Sequence, residues 1–479
     1  MIDPLAVALQ LSSPRVSPPT TPWRSVAIHG AVLLAWIVLF TLGLGLAHGG
    51  LLAWLVGAVY IAYDTALQCF VVWQGLKLLR PLRVAPAGAR PSLCVVVAAH
   101  NEAAVLPVTI AGLESQTEPP EQILIADDGS TDATADVLQV QFGLALPALA
   151  RVSAPGTLHP TLAWLRLPHG GKARALNAAL PHVHTEIVVT VDADTLLDAG
   201  ALRAMRSAFA AEAELVAATG IITPVCRPTF TGQCLQWFQT YEYIRNFLSR
   251  HAWMQLRSLL LISGAFAGFR RSALLAVGGF DDACMVEDYE LSHRLHRYSV
   301  QHNLGWQFRV LGGAQARTEA PGSVGAFLRQ RRRWFGGFLQ TQYWYRAMVG
   351  DRRYGALGCA MLPAKAIDTL QPVYGLTAFL LLVTYAVTGR LDIVGPVLAL
   401  IGAKIVLDLL FHLASVALYR RWVGDATRAS MGWALVAALA EPFSFQLLRH
   451  LGAVLGWIAF LRGARTWGRQ TRFGLGVRS

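Results

Sequence analysis

Hydrophobic and polar positions divide the chain into three stretches. From residue 25 to residue 72 it is almost wholly apolar, broken only at His48-Gly49-Gly50. Each half, 25–47 and 51–72, is long enough to cross a bilayer, which takes about 20 residues. Two membrane helices over 25–75, joined by a tight turn, fit this pattern better than a signal peptide, because no small-residue cleavage site follows the first run. Residues 1–24, rich in Pro, Ser and Thr, read as a flexible lead. From 92 to 345 short apolar runs alternate with helical patterns. LCVVVAA (93–99), 122–126 and 186–191 read as buried strands. The first two start about 30 residues apart, the length of one βαβ unit. Such alternation predicts a mostly parallel sheet with helices on both faces, whose ligands sit at the carboxyl ends of the strands. Beyond 345 the apolar pattern returns, with spans at 370–388 and 393–418. The stretch 431–461 is too long for one simple span and is interrupted by Glu441-Pro442 and Arg449-His450; a short hairpin or a partly interfacial helix accounts for it.

Charge orients these pieces. Only 15% of residues are charged and 54% are hydrophobic, with a formal net charge of +12; soluble chains carry roughly 25% charged residues. Long apolar runs make lipid and phosphate better partners for the basic surplus than nucleic acid. Arg15 and Arg24 precede the first span, Lys77, Arg80, Arg83 and Arg90 follow the second, and Arg420, Arg421 and Arg428 follow a later one. By the positive-inside rule the central domain is cytoplasmic, and a hairpin at 431–461 would keep the basic tail, 462–479, on that side too. The six cysteines are scattered with no CxxC pair, so neither a zinc site nor a disulfide framework is indicated. Within the spans, Lys404, Asp408 and His412 share one helix face, with Asp64 and Glu441 in other segments. Ionisable groups in hydrocarbon face the bundle interior. They either pair between helices or line a wet passage.

Candidate chemistry lies at the strand ends. Asp127-Asp128-Gly129-Ser130-Thr131-Asp132 follows the second strand and Asp192-Ala193-Asp194 the third. One such cluster is ordinary turn chemistry; two on neighbouring parallel strands converge on one crevice. Asp192 and Asp194 can hold Mg²⁺, which favours one or two carboxylates plus substrate phosphates. No Walker A loop and no GxGxxG after a strand is present. Lys172, behind Gly170-Gly171, opens a helical stretch and can meet phosphate there. Glu287-Asp288 begins another helical pattern, either as first-turn carboxylates or as a general base kept ionised by the helix dipole. In QRRRW (330–334), Gln330, Arg333 and Trp334 share a face. Arg331 and Arg332 point elsewhere, toward lipid phosphates, as on an amphipathic helix lying in headgroups.

The ordered set AHNE (99–102), DDGSTD (127–132), GGKARALN (170–177), DAD (192–194), ED (287–288) and QRRRW (330–334) resembles the processive family 2 membrane glycosyltransferases, the synthases of cellulose, hyaluronan, chitin and poly-N-acetylglucosamine. The resemblance implies a GT-A type α/β cytosolic transferase domain, 92–320, inserted between N- and C-terminal transmembrane helices. Interfacial helices with QxxRW would follow at 321–368, C-terminal spans at 370–461 and a gating segment in the tail. It also implies roles. Ala99, Glu102, Asp127 and Asp128 would face the nucleoside, with Lys172 near phosphate. Asp192 and Asp194 would hold UDP through Mg²⁺ or Mn²⁺. Asp288, beside Glu287, would be the catalytic base. Gln330 and Arg333 would bind diphosphate, and Trp334 would stack on the acceptor sugar beside an acceptor loop at Ser263, Gly264 and Ala265. Trp467 and Arg469 would close over UDP. Val286, Ala98 and the acceptor loop depart from the family's Thr, Pro and Cys. The expected activity is inverting polymerisation of a UDP-sugar, UDP-glucose or UDP-N-acetylglucosamine, into a β-linked polysaccharide exported through the inner membrane, with accessory export proteins as partners. A non-processive transferase acting on a lipid-linked acceptor, and a transporter or scaffold with an inactive domain, are the alternatives.

Overall fold

The computed structural model describes residues 3–45, 51–80, 90–389, 391–424 and 430–463. Three helices open the chain: α1 (Pro4–Ser12), α2 (Trp23–Gly45) and α3 (Leu51–Gly75). The apolar run at 93–99 then becomes β1 (Leu93–Ala99), whose Leu93, Cys94, Val95 and Val97 have no exposed surface. Around it the order in chain is α4 (Leu106–Glu114), β2 (Gln122–Asp128), a single turn α5 (Thr134–Asp136), β3 (Arg151–Val152), β4 (Leu162–Leu167), α6 (Lys172–Ala179), β5 (Ile187–Asp192), β6 (Thr195–Leu197) and α7 (Ala201–Ala211). There follow β7 (Leu215–Val225), α8 (Phe230–Gln255), β8 (Phe266–Arg270), α9 (Arg271–Val277), α10 (Glu287–Gln301), β9 (Gln307–Glu319) and α11 (Val324–Trp344), which carries QRRRW. The last helices are α12 (Leu362–Val387), α13 (Leu391–Val423), α14 (Met431–Ala440) and α15 (Phe445–Leu461).

All strands join one sheet in the order β3-β4-β2-β1-β5-β8-β7-β9-β6. It is mixed rather than mostly parallel. The pairs β1–β2, β1–β5, β2–β4 and β7–β9 run parallel, while β3–β4, β5–β8, β7–β8 and β6–β9 run antiparallel. A strand covered on both faces reads as a continuous apolar run in either direction, so the runs carried no information about strand sense. The parallel register sets Ala98 opposite both Ala126 and Asp192. The carboxyl ends of β2 and β5 therefore flank that of β1, and their Asp-bearing turns open on one side.

Among the described residues, Leu357–Val387 and Val397–Val423 are long and apolar enough to cross a membrane. The pair Met431–Phe443 and Phe445–Leu461 is bent by 50°, as in a broken span or a re-entrant loop. α15 lies directly along α11. A Cβ on Gly456 would stand 2.7 Å from Phe335 Cβ, and one on Gly452 would stand 2.5 Å from Arg331 Cβ, so two glycines let these backbones approach. The charged stripe of α13 is paired. Lys404 bonds Asp408 and reaches Asp64 of α3 at 2.7 Å, while Gln68 donates to both carboxylates at 2.7 and 2.9 Å. His412 contacts Arg245 of α8 and lies 3.4 Å from Glu441.

The N-terminal segment is not a loose lead. Asp3 caps α1, which packs on α9 and α10. Ser12 Oγ donates to Val277 O at 2.8 Å, and Arg297 donates to Ser12 O at 2.6 Å. Arg15 makes a two-pronged pair with the fully buried Asp281 at 2.7 and 2.9 Å, and its guanidinium lies 5.8 Å from the Trp344 ring. Further along, Arg24 pairs with Asp351 at 2.8 Å. Its Pro, Ser and Thr content read as a flexible lead because its docking partners lie over 250 residues away. Removing the guanidinium strands a buried carboxylate, so Arg15→Ala should cost on the order of 2 kcal/mol. Arg15→Ala combined with Asp281→Asn should recover part of that loss. Thermal unfolding of the two variants checks this; equal melting temperatures for wild type and Arg15→Ala would exclude the strap.

Candidate active site

The two acidic residues that end β2 point in different directions. Asp127 is buried, accepting from Ser130 N at 2.9 Å and the Trp164 indole at 3.3 Å, and it does not line the cavity. Its expected contact with nucleoside is therefore corrected: it holds the turn. Asp128 does face the cavity and fastens the next loop, accepting from Gly170 N at 2.7 Å and Gly171 N at 2.9 Å. Gly129 has φ +67°, and a Cβ there would meet His169 N at 2.6 Å, so this crossing needs glycine. Asn101, also left-handed at φ 59°, accepts from Thr131 N and Asp132 N at 2.7 and 3.1 Å. The AHNE and DDGSTD turns are thus one hydrogen-bonded unit, with Ala99 and the buried Glu102 on its cavity side.

At the end of β5 the charges concentrate. Lys172, at the first turn of α6, bonds Asp192 and lies 3.8 Å from Glu287. Burial opposes the Lys172 charge, but Asp192 and Glu287 outweigh it and hold its pKa above the ordinary value. Burial pushes the Glu287 carboxyl up, with Asp288 adding to the rise and Lys172 opposing it. Asp194 is 2% exposed beside Thr195 and Thr318, whose hydroxyls approach its Oδ1 at 3.5 and 3.4 Å. Asp288 is held by the loop at 263–265: its Oδ2 accepts from Gly264 N at 2.7 Å, and a Cβ on Gly264 would stand 3.1 Å from that oxygen and 3.3 Å from Lys172 Nζ. Ser263, Gly264 and Ala265 line the same cavity. α10 is anchored behind Asp288 by Glu290, which pairs with the fully buried Arg294 at 2.7 Å and accepts from Tyr345 at 2.6 Å.

α11 closes the other wall. Gln330, Arg333 and Trp334 line the cavity, and Arg333 donates to Met285 O at 3.3 Å. Arg331 does not reach for lipid. It is 9% exposed, makes a two-pronged pair with Glu242 at 2.9 and 2.7 Å, and lies 4.5 Å from the Trp334 ring. Arg332 is exposed, as expected. Trp467 and Arg469 lie outside the described residues. The cavity, about 1680 Å³, runs from His100 and Asp128 past Asp192 and Asp288 to Asp64 on α3 and Asp368 and Gln371 on α12.

Sequence reasoning missed two histidines. His100 and His169 stack at 4.3 Å, and each approaches Asp128 O through Nδ1, at 2.8 and 3.1 Å. Their ring nitrogens and the Asp128 carboxylate lie within 4.8 Å of one another, close enough to share a metal ion. No local spacing signals such a pair, because Gly129 and the Gly170-Gly171 loop bring the two rings together from separate turns.

A covered α/β sheet whose acidic strand-end turns and a helix-borne carboxylate share one cleft defines a GT-A-like glycosyltransferase architecture. The solved structure of a mannosyltransferase from Pyrobaculum calidifontis, in complex with GDP-Man and Mn²⁺, has this fold, with a TM-score of 0.52 over 81% of this chain and 99% of that one at 23% identity. Two family models match: Glycosyl transferase family 2 over residues 94–278 and Glycosyl transferase family group 2 over 187–391, together covering more than half of the 479 residues. The chain belongs to the family 2 glycosyltransferases. It is 28% identical over 255 residues to a poly-beta-1,6-N-acetyl-D-glucosamine synthase of Staphylococcus epidermidis, covering 52% of this chain and 56% of that protein. It is 27% identical over 271 residues to a beta-monoglucosyldiacylglycerol synthase of Synechocystis sp., covering 53% of this chain and 50% of that one. The chain thus spans about half the length of the curated relatives it matches.

Helix α10 also sets an acid limit. On α10, His293 donates to Tyr289 O and His296 to Leu259 O, at 2.9 and 2.8 Å, and burial depresses both to about 4. The unfolded chain takes up these protons near pH 6.5, while the folded helix resists until about 4. Stability is therefore full above about pH 6.5 and declines as pH falls toward 4. Melting temperature should drop over that window, and drop less for a His293→Gln variant; a flat profile would contradict the burial.

Proposed function

We propose that this chain is a membrane-embedded, inverting glycosyltransferase that draws on a nucleotide-sugar, with UDP as the nucleotide, and extends a β-linked polysaccharide. One observation carries the reading: a single cavity joins Asp128 and Asp192, suited to a nucleoside diphosphate, to Asp288 and Trp334, suited to an acceptor sugar. Asp128 and Ala99 face the base and ribose. Lys172 lies among carboxylates, which marks this corner as a place that favours cations. Asp192 and Asp194 offer hard oxygen donors at the same corner and fit a divalent ion; Mg²⁺ or Mn²⁺ bound there would neutralise the departing diphosphate. Arg333 and Gln330 approach from α11 to the same group.

The acceptor hydroxyl lies against Asp288. Its oxygen forms the new bond to the anomeric carbon as the bond to the UDP oxygen breaks, its proton passes to Asp288, and the configuration inverts. Gly264 N–H fixes the direction of the Asp288 carboxylate, and Glu287 offsets the Lys172 charge beneath it. Trp334 offers its ring to the acceptor sugar, with the Arg331 guanidinium over it. We read the transferase domain as cytoplasmic, and α2, α3, α12 and α13 as spans of the inner membrane through which the polymer leaves, with accessory export proteins beyond. The Synechocystis relative favours a second reading, a single transfer onto a lipid-borne acceptor.

Purified membranes given UDP-glucose, UDP-N-acetylglucosamine or UDP-glucuronate with Mn²⁺ should release UDP with one of them. Asp288→Asn should lower turnover roughly 10²-fold or more while leaving UDP binding nearly unchanged; near wild-type product would remove Asp288 from the role of base. Trp334→Ala should shorten product more than it slows hydrolysis of the donor to water. Equal loss of both would assign Trp334 to packing.

A further inference from the structure

One face of α8 forms the cavity wall beside the membrane helices. Tyr243, Asn246, Phe247, Arg250 and Trp253 recur at three- and four-residue spacing and all line the cavity. The helix is clamped in place from its other contacts. Glu242 holds Arg331, Arg245 pairs with Glu441 at 2.6 Å, and the Trp253 ring lies 4.8 Å from Phe70 of α3. This face therefore sits where the α/β domain meets the membrane segment.

Arg250 is chemically incomplete. Its guanidinium lies 4.4 Å from the Phe247 ring, and its Nε and Nη1 are buried and meet no hydrogen-bond acceptor among the described residues. Three other cavity cations face carboxylates: Lys172 meets Asp192, Arg331 meets Glu242, and Arg449 meets Glu242 at 3.1 Å and Glu441 at 3.4 Å. Burial lowers the Arg250 pKa to about 10, and the charges of Tyr243 and Asp288 only partly oppose this. The fold thus leaves a cavity-lining guanidinium with two desolvated, unmatched N–H groups within the electrostatic reach of Asp288. A sugar hydroxyl would fill one N–H but leave the charge unmatched. An oxyanion would match the charge as well as an N–H donor.

We propose that Arg250 binds an oxyanion, a phosphate or a carboxylate, carried by the acceptor close to the hydroxyl that Asp288 deprotonates. This rests on the glycosyltransferase reading for the word acceptor, but the anion site itself does not. The donor diphosphate has its own partners in Lys172, Arg333 and the Asp192–Asp194 corner, whereas Arg250 comes from the helix that contacts α3 and α13.

The test uses the full chain in neutral phosphatidylcholine nanodiscs, without donor, so that no transfer is required. Native mass spectrometry would compare farnesyl phosphate with farnesol, and a hexuronate tetrasaccharide with its neutral hexose counterpart. Wild type should prefer one anion over its neutral partner by at least about 10-fold, and the preferred pair identifies a lipid-borne phosphate or a uronate-bearing chain as the source. Arg250→Gln should abolish that preference and leave UDP affinity unchanged. Should Arg250→Gln not fold, Arg250→Lys, which keeps the charge but not the planar guanidinium donors, should reduce the preference at least about 3-fold. No anion preference in wild type, an unchanged preference in the variant that folds, or equal weakening of UDP would each overturn the proposal. The Asp288→Asn turnover assay reports separately on the enzymatic reading.

Discussion

Carboxylates crowded in a low-dielectric cleft have to be neutralised, and this requirement organises the molecule. Asp192, Glu287 and Asp288 come from β5 and from the start of α10, segments nearly a hundred residues apart. The Lys172 ammonium bonds Asp192 and lies near Glu287, and the Gly264 N–H takes Asp288. Lys172 is in turn placed by Asp128, whose two oxygens hold the backbone just before it at Gly170 and Gly171. Each acidic turn thus positions the donor that the next one needs, because buried charges persist only when paired and hydrogen-bonded. A nucleotide-sugar and its cation would enter a site that is already electrostatically arranged for them.

The same constraint joins the α/β domain to the flanking helices. Glu242 on α8 receives Arg331 from the QRRRW helix and Arg449 from α15. Glu441 receives Arg245 and Arg449. Lys404 ties α13 to α3 through Asp64. These pairs cross between helices rather than running along them, so α8, α11, α13 and α15 are coupled by charge where their apolar faces would allow sliding. Asp64 also lines the cavity, so pairing and access to the cleft meet at that residue. Behind Asp288, Arg294, Glu290 and Tyr345 do similar work for α10, and the N-terminal segment reaches the turn before α10 through Arg15 and Asp281.

Much of this was legible in the chain because it is local. Apolar runs at 93–99, 122–126 and 186–191 gave the central strands. The acidic turns after them, Lys172 at a helix start, Glu287-Asp288 at another, and the i, i+3, i+4 spacing of Gln330, Arg333 and Trp334 were all visible as short patterns, and the structure sets these side chains around one cavity, Asp127 excepted. Residue type and spacing decide such features: burial on two faces demands continuous hydrophobicity, and a helix face repeats every three to four residues.

Only the tertiary structure decided the rest, because those features depend on partners distant in sequence. Strand sense could not be read from runs that look alike in both directions. Asp127 and Asp128 are identical neighbours until the pleat turns one to Trp164 and the other to the cleft. Arg331 stands in a run of arginines on a helix that reads as interfacial, and it is buried because Glu242 waits for it 89 residues earlier. Arg15 looked like part of a loose lead until Asp281 was placed 266 residues away. Hydrophobic periodicity is a property of each segment alone, whereas the destination of a charge is set by which segments fold against it.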